Sequence, residues 1–247
     1  MFSKSQIKFI KSLAQKKNRQ HHQLFFVEGK KAISELLSSS LKLHSLYTTE
    51  DIFEATATRT TFITPADLNK ISRLSTPQTA LAVFHIPQVN EPEFNGLMLA
   101  LDGVQDPGNL GTIIRLCDWF GIGNLICSSG TVDCFNPKVV QATMGSIGRV
   151  KVYYTNLPEL LKRAKKELPV FGAFLEGENI YKENLLSQGI IVMGNEANGI
   201  TAEVESYVTE KLVIPQFGRI QETESLNVAT ATAIFLSEFC RRSFTEM

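Results

Sequence analysis

The chain has 247 residues, of which 43% are hydrophobic and 20% are charged, and its formal net charge at pH 7 is zero. This length allows one large domain or two modest ones, and the composition is typical of a globular protein. No apolar run approaches the length of a membrane span, and the first residues contain no continuous apolar core, so we expect no transmembrane helix, no signal peptide and a cytoplasmic location.

The basic residues are concentrated at the start of the chain. Residues 1–31 contain eight Lys and Arg but a single acidic residue, Glu28, so the rest of this neutral chain carries a net negative charge. A basic arm on a mildly acidic body favours a local contact with a polyanion such as RNA, and a solvated helix face is the alternative. The candidate RNA-binding residues are Lys11, Lys16, Lys17, Arg19 and Lys30.

The first 86 residues predict a small α/β domain. Ser3 and Gln6 have capping-box spacing, so a helix is expected over residues 4–17, and Thr64 followed by Pro65 predicts the start of another helix. A further helix is expected over 30–39, with strands at 24–27, 43–48, 62–63 and 81–86. Residues 87–95 hold two prolines and are the expected linker to a second domain, 96–247.

In the second domain the signals for strands and helices alternate. Strands are expected at 97–101, 124–128, 150–154, 170–174, 190–193 and 211–214, and helices start near Asn109, Asn136, Pro158 and Glu224. Several strands are continuously apolar, as in a sheet that is covered on both faces. This pattern predicts a doubly wound α/β domain with a parallel sheet. The small residues of the last helix fit a helix–helix contact, within the chain or between subunits.

Three segments end an apolar strand with polar residues: 101–115 (LDGVQDPGNLGTIIR), 191–200 (IVMGNEANGI) and 212–228. Open α/β sheets bind ligands just beyond the ends of their strands, so we expect one site there. Its candidate residues are Asn109, Arg115, Glu196, Ser225 and Asn227. Individually, each has a simpler interpretation as a surface arginine or a helix cap. The common phosphate-binding loops and the nucleophile elbow are absent. The four Cys and four His show no ligand spacing, so we expect no metal.

Together the three segments resemble the motifs of the SpoU (TrmH) family of RNA ribose 2′-O-methyltransferases, in the SPOUT superfamily. The resemblance implies a C-terminal trefoil knot that binds S-adenosylmethionine, a homodimer, and ribosomal RNA rather than transfer RNA as the favoured substrate. It places Asn109, Arg115, Glu196, Ser225 and Asn227 in the catalytic set, and it implies an L30-like RNA-binding domain at residues 1–86. The implied cofactor contacts are Met193, Gly194, Asn195, Ile214, Pro215, Gln216 and Leu226.

The chain departs from the family pattern in one loop, where six residues, 219–224, separate Gly218 from Ser225. The extra residues would alter the cover over the cofactor. They also keep open a base methyltransferase that uses Glu222 or Glu224 as its base. A third possibility is an RNA-binding or ribosome-assembly factor that has lost catalysis. Because a guanidinium is permanently charged, we expect Arg115 to stabilise a developing oxyanion rather than to remove a proton.

Overall fold

A computed structural model describes residues 2–53, 57–218 and 224–243, without the side chains of residues 242 and 243. The expectation about the loop at 219–224 therefore lies almost wholly outside the described residues. Within the described ranges no helix combines the length and the apolar character that crossing a membrane requires.

The described chain contains ten strands and nine α-helices. The strands are β1 (Leu24–Glu28), β2 (Leu43–Thr48), β3 (Thr60–Phe62), β4 (Ala80–His85), β5 (Leu97–Leu101), β6 (Asn124–Ser128), β7 (Lys151–Thr155), β8 (Val170–Asn179), β9 (Gly189–Met193) and β10 (Glu210–Val213). The helices are α1 (Lys4–Ser12), α2 (Lys16–His22), α3 (Lys30–Leu37), α4 (Pro65–Ile71), α5 (Pro107–Trp119), α6 (Pro137–Thr143), α7 (Leu157–Ala164), α8 (Ala202–Glu205) and α9 (Val228–Ser243).

The chain divides into two compact units, and the division is not the one that sequence order suggests. The first unit comprises residues 1–88 together with 133–149, and the second comprises 89–132 together with 150–247. The segment 133–149 follows β6 in the chain, yet its helix α6 packs against β1 of the first unit. An ion pair between Arg149 and Glu35, at 2.7 Å, joins the same segment to α3.

The first unit is built on a four-stranded sheet in the order β1-β4-β2-β3. β4 pairs antiparallel with both β1 and β2, and β3 pairs parallel with β2. α4 begins as expected, because the Thr64 side chain accepts the N–H of Asp67 and Pro65 needs no backbone donor in the first turn.

The single helix expected over residues 4–17 is wrong in one respect, because the structure breaks it into α1 and α2. The capping box of Ser3 and Gln6 does form at its start. At the break, the Arg19 guanidinium donates to the carbonyl oxygens of Leu13 and Ala14, at 2.9 and 2.8 Å, and pairs with Asp133. It thereby satisfies carbonyls that the end of α1 leaves without a helical partner.

The second unit holds a six-stranded sheet in the order β10-β8-β9-β5-β6-β7, and every pairing in it is parallel. Alternate residues of its strands, among them Ala100 and Val192, pack with α7 and α8 on one face. The intervening residues point to the other face, where Phe171 of β8 contacts Phe239 of α9 at 4.9 Å between ring centroids. The expected parallel sheet of an α/β domain, covered on both faces, is confirmed.

Candidate active site

The site begins where two central strands end side by side. Leu101 of β5 lies opposite Met193 of β9, and the N–H of Asp102 continues the pairing by donating to the Met193 carbonyl at 2.9 Å. The next residues are also joined, because the Asn195 amide donates to the Gly103 carbonyl at 2.6 Å. Gly103 has a φ of +74°, which glycine adopts without the cost that a side chain would add. The two loops that follow these strands therefore leave the sheet together.

A tight turn follows β9. Asn195 and Gly199 exchange two backbone hydrogen bonds of 2.9 Å, and the Asn195 side chain accepts the N–H groups of Ala197 and Asn198. A Cβ added to Gly194 would overlap the backbone of Gly199, so only glycine fits there. The turn holds Glu196 at its start, beyond the end of the sheet.

Two polar residues that we did not single out from the sequence also hold these loops. The buried Asp102 carboxylate accepts both the N–H and the hydroxyl of Thr201, each at 2.8 Å, and so ties the end of β5 to the segment before α8. The Ser128 hydroxyl, at the end of β6, accepts the N–H of Gly103 at 2.9 Å. Their position in the sequence could have identified them, because each is the polar residue that ends the apolar run of a strand.

Three of the expected site residues form one hydrogen-bonded chain. The Asn109 Nδ2 donates to Glu196 Oε1 at 2.9 Å, and the Asn227 Nδ2 donates to Asn109 Oδ1 at 2.9 Å. Asn227 Oδ1 meanwhile accepts the N–H groups of Ala229 and Thr230 and caps α9. Residues from three distant segments therefore meet at one place, which we call the amide network: Asn109, Glu196 and Asn227.

Hydrogen bonds decide the charge of Glu196. Partial burial would raise its pKa, but the Asn109 side chain and the backbone N–H groups of Glu196, Gln105 and Asp106 donate to the carboxylate and together outweigh that effect. The pKa of Glu196 is therefore lowered from its ordinary value, and the carboxylate is ionised near neutral pH. An ionised carboxylate accepts hydrogen bonds only, which fixes the Asn109 amide with its nitrogen toward Glu196.

Arg115 lies apart from the amide network. It occupies an exposed stripe of α5 with Gly108, Thr112 and Trp119, and its side chain makes no hydrogen bond or ion pair with any residue that the structure describes. The Glu196 carboxylate contacts the Asn109 amide. Ser225 is exposed and lies two residues before Asn227. α9 starts at Val228 rather than near Glu224, because Asn227 is its cap.

The residues expected to contact a cofactor lie in three segments of this unit, two of which also hold Glu196 and Asn227. Met193 ends β9 and Gly194 and Asn195 follow it, whereas Ile214, Pro215 and Gln216 directly follow β10. Residues 214–216 and Leu226 lie outside helices and strands, and Leu226 is 48% exposed. Backbone groups outside regular structure and an exposed apolar side chain are the contacts that suit a nucleoside, which presents a flat apolar face and polar edges. Across the described ranges, no group of three or more His, Cys, Asp or Glu has the geometry of a metal site.

Comparison with known proteins agrees with this geometry. Residues 96–237 match the SpoU rRNA Methylase family, which is more than half of the chain. The chain belongs to this family. Residues 4–82 match an MRM3-like substrate binding domain. Membership makes the protein an S-adenosylmethionine-dependent RNA methyltransferase, and the resemblance inferred from the three motifs is confirmed.

Relatives match over nearly the whole chain. The 23S rRNA (guanosine(2553)-2′-O)-methyltransferase RlmP of Bacillus subtilis is 30% identical over 236 residues, covering 93% of this chain and 94% of its own. A structure described as a candidate RNA methyltransferase of the TrmH family from Porphyromonas gingivalis is 42% identical, with a TM-score of 0.89 and coverage of 98% and 99%. An AdoMet-bound rRNA methyltransferase from Sinorhizobium meliloti is 31% identical, with a TM-score of 0.84 and coverage of 96% and 94%.

Proposed function

We propose that this protein transfers a methyl group from S-adenosylmethionine to a ribose 2′-hydroxyl of ribosomal RNA. The observation that carries the proposal is the amide network, which joins polar residues of all three motifs beyond the ends of the parallel strands. The names of the relatives support the substrate class, since the Bacillus relative acts on 23S ribosomal RNA at a guanosine 2′-oxygen.

The proposed cofactor site uses backbone groups and apolar contacts. Met193, Gly194 and Asn195 would line one side, and Ile214, Pro215, Gln216 and Leu226 the other. When bound, S-adenosylmethionine supplies a methyl group activated by a sulfonium. Gly194 has no room for a side chain because the backbone of Gly199 and Ile200 lies against it, so the close turn after β9 depends on this glycine. The AdoMet-bound Sinorhizobium relative supports this choice of cofactor.

The amide network would act by positioning. An amide nitrogen carries two N–H groups, and one of those on Asn227 is used by Asn109. The second is available to the ribose of the substrate, while the ionised Glu196 holds both amides in one orientation. In the transfer, the carbon–sulfur bond breaks as the carbon–oxygen bond forms, and the 2′-hydroxyl proton leaves to water or to the neighbouring RNA phosphate.

Arg115 would supply positive charge beside the developing oxyanion. A guanidinium is permanently charged, so it is a poor proton acceptor and a good electrostatic stabiliser. Since Arg115 is exposed and outside the amide network, we propose that it serves the site of a second subunit in a homodimer. Trp119, which lies one turn further along the same stripe of α5, is 84% exposed and supports an interface there.

Mixing two inactive variants tests the shared site. We expect Arg115→Ala and Glu196→Ala each to lose most activity as a pure dimer. In a symmetric dimer with sites shared between subunits, random exchange restores about a quarter of the wild-type activity, because half of the dimers are mixed and each has one intact site. If the mixture stays as inactive as its components, Arg115 does not act across the dimer.

Three further parts of the account are proposals. The family resemblance supports a trefoil knot in the C-terminal segment and a cytoplasmic enzyme. The first 86 residues would bind RNA, and the exposed side chains of Lys11, Lys16, Lys17 and Lys30 support that role. Arg19 is left out of this set, because it is 2% exposed and its guanidinium is occupied by Asp133 and two carbonyls.

A radiolabelled-methyl assay tests the proposed substrate. Purified protein is given methyl-labelled S-adenosylmethionine with an unmodified 23S ribosomal RNA transcript or with transfer RNA transcripts. We expect label in the ribosomal RNA, a decrease of at least about tenfold for Asn227→Ala, and no decrease for the exposed Asn90→Ala. Label in transfer RNA alone would contradict the choice of substrate. Calorimetric binding of the cofactor without label in either RNA would indicate a binding factor.

A further inference from the structure

All four histidines of the chain lie in the first unit and contact one another through their rings. The ring centroids of His21 and His22 are 4.7 Å apart, and His22 contacts Phe9 at 5.0 Å. Phe9 lies 6.4 Å from His44, which contacts His85 at 5.4 Å. We call this series of rings the histidine strip: Phe9, His21, His22, His44 and His85.

Helix and strand ends hold the strip at one end of the four-stranded sheet. His21 and His22 end α2, His44 lies near the start of β2 and His85 ends β4. β2 and β4 run antiparallel, so the start of one lies beside the end of the other. All four histidines are exposed, whereas Phe9 is half-buried and packs against the core of this unit. The strip is therefore a solvent-facing surface on a fixed backbone.

Positive charge surrounds the strip. Lys8 is exposed and adjacent to Phe9, and the Lys42 carbonyl accepts the N–H of His85 at 2.9 Å. The Arg59 guanidinium donates to the carbonyl of Leu43, the residue before His44. The nearby carboxylates lie at the opposite end of the sheet, where Glu28 ends β1 and Glu50 and Asp51 follow β2.

The rings are arranged for contact with a flat partner rather than with an ion. Burial, His85 and Arg59 all lower the pKa of His44 from its ordinary value, which favours the neutral imidazole near pH 7. No metal-binding group of His, Cys, Asp and Glu occurs in the described part of the chain. Exposed rings between cationic side chains are a surface on which unpaired bases stack while the phosphates meet the cations.

We propose that the histidine strip binds an unpaired segment of the substrate RNA, with bases stacked on its rings and phosphates near Lys8, Lys42 and Arg59. This inference rests on the proposed function, since it assumes an RNA substrate. RNA fits better than a protein partner, because the exposed charges beside the strip are cationic and its four histidine rings are exposed to solvent. Docking of a protein there is an outcome that the test separates.

Paired substitutions at His44 and His85 test the strip in the full-length protein. His44→Ala with His85→Ala removes two rings, whereas His44→Phe with His85→Phe keeps them. Phe62→Ala is the matched control, since Phe62 is 60% exposed on β3 of the same sheet but lies opposite Thr48, away from the strip. The probe is an unmodified 23S ribosomal RNA transcript, and the readouts are KM for RNA, kcat and calorimetric affinity for S-adenosylmethionine.

We expect the Ala pair to raise KM for RNA about tenfold, the loss typical of one stacked base, with kcat and cofactor affinity unchanged. The Phe pair and Phe62→Ala should stay within about twofold of wild type. An unchanged KM in the Ala pair, or an equal loss in the Phe pair, overturns base stacking. If RNA affinity is unchanged but a protein partner is lost, the strip is a protein-docking surface.

The inference can fail separately from the proposed function. If the wild type methylates no RNA, the proposed function fails, and the strip is then tested by the direct binding of a fluorescent single-stranded RNA to the same variants. Circular dichroism melting verifies folding, and we expect an unchanged Tm because the substituted rings are exposed. The pair His21→Ala with His22→Ala, at the other end of the strip, provides a second test if the first Ala variant does not fold.

Discussion

Replacing Asn109 by Asp would test the amide network directly. The wild-type side chain donates to Glu196 Oε1 and accepts from the Asn227 amide, each at 2.9 Å. Asp has the same size and keeps the acceptor, but it presents a carboxylate oxygen to Glu196 where the N–H group was. Two like charges would then face each other across a hydrogen-bond distance.

The size of the penalty follows from that distance. At 2.9 Å, two unit charges repel by about 1.4 kcal/mol with the dielectric constant of water and by about 6 kcal/mol with an effective value near 20. Because Glu196 is exposed to solvent, we expect the lower part of this range, about 1–3 kcal/mol of lost stability. The new pair would retain a proton in the folded state, so its folded-state pKa lies above the unfolded value.

The sign of the pH dependence follows from this raised pKa. The bound proton relieves the repulsion, so the penalty is small at low pH and grows as the pH rises through the raised pKa. Urea unfolding between about pH 3.5 and pH 7 measures it, because about 1–3 kcal/mol corresponds to a pKa about one to two units above that of an ordinary carboxyl group. The exposed Asn90→Asp is the control. Methyl transfer at pH 8 should fall about 100-fold, as expected when reacting groups are misplaced. A penalty that is constant with pH, or full activity at pH 8, would refute the network as described.

Three further substitutions test other parts of the site and fold. Glu196→Gln should lower kcat at least about tenfold and leave cofactor affinity within about threefold of wild type. The ionised Glu196 stabilises the fold above its ordinary pKa, and this stability is lost as the pH falls through its lowered folded-state pKa, so the variant should lack this pH dependence. Acid unfolding that is the same in the variant and the wild type would contradict the assigned hydrogen bonds. Gly194→Ala should abolish cofactor binding measured by calorimetry or lower Tm markedly. Gly123→Ala is the control and should do neither, because a Cβ added there meets no atom within 4 Å. If the two variants behave alike, the turn at Gly194 has room for a side chain. Arg19→Met should cost about 2–4 kcal/mol in urea unfolding, because it removes the donor to the half-buried Asp133 carboxylate and to two carbonyls. The exposed Arg163→Met should cost less than about 1 kcal/mol. Similar losses would mean that the hydrogen bonds of Arg19 are not needed.

Local signals explain which parts of the fold the sequence predicts. Thr64 with Pro65, and Asn136 before Pro137, start α4 and α6 where expected, because an N-cap and a proline act within one turn. The continuous apolar runs predict the parallel sheet for a similar reason, since burial on both faces excludes polar residues. These features depend on neighbours in sequence and require no knowledge of distant contacts.

The errors and omissions involve partners far apart in sequence. The break between α1 and α2 depends on Arg19, whose carboxylate partner, Asp133, lies 114 residues away. The bond between Asn109 and Asn227 spans 118 residues, and the motifs indicated that link only through their resemblance to a family. The histidine strip could not be predicted from residue spacing, because its rings come from two helices and two strands.

Identification of the methylated nucleoside tests the central claim most directly. The purified protein is incubated with an unmodified 23S ribosomal RNA transcript and S-adenosylmethionine, and the RNA is digested to nucleosides for mass spectrometry. We predict a 2′-O-methylnucleoside, whose added mass stays with the ribose on fragmentation and which is lost in Asn227→Ala. Methyl groups found on a base, or no methylated nucleoside at all, would contradict the account.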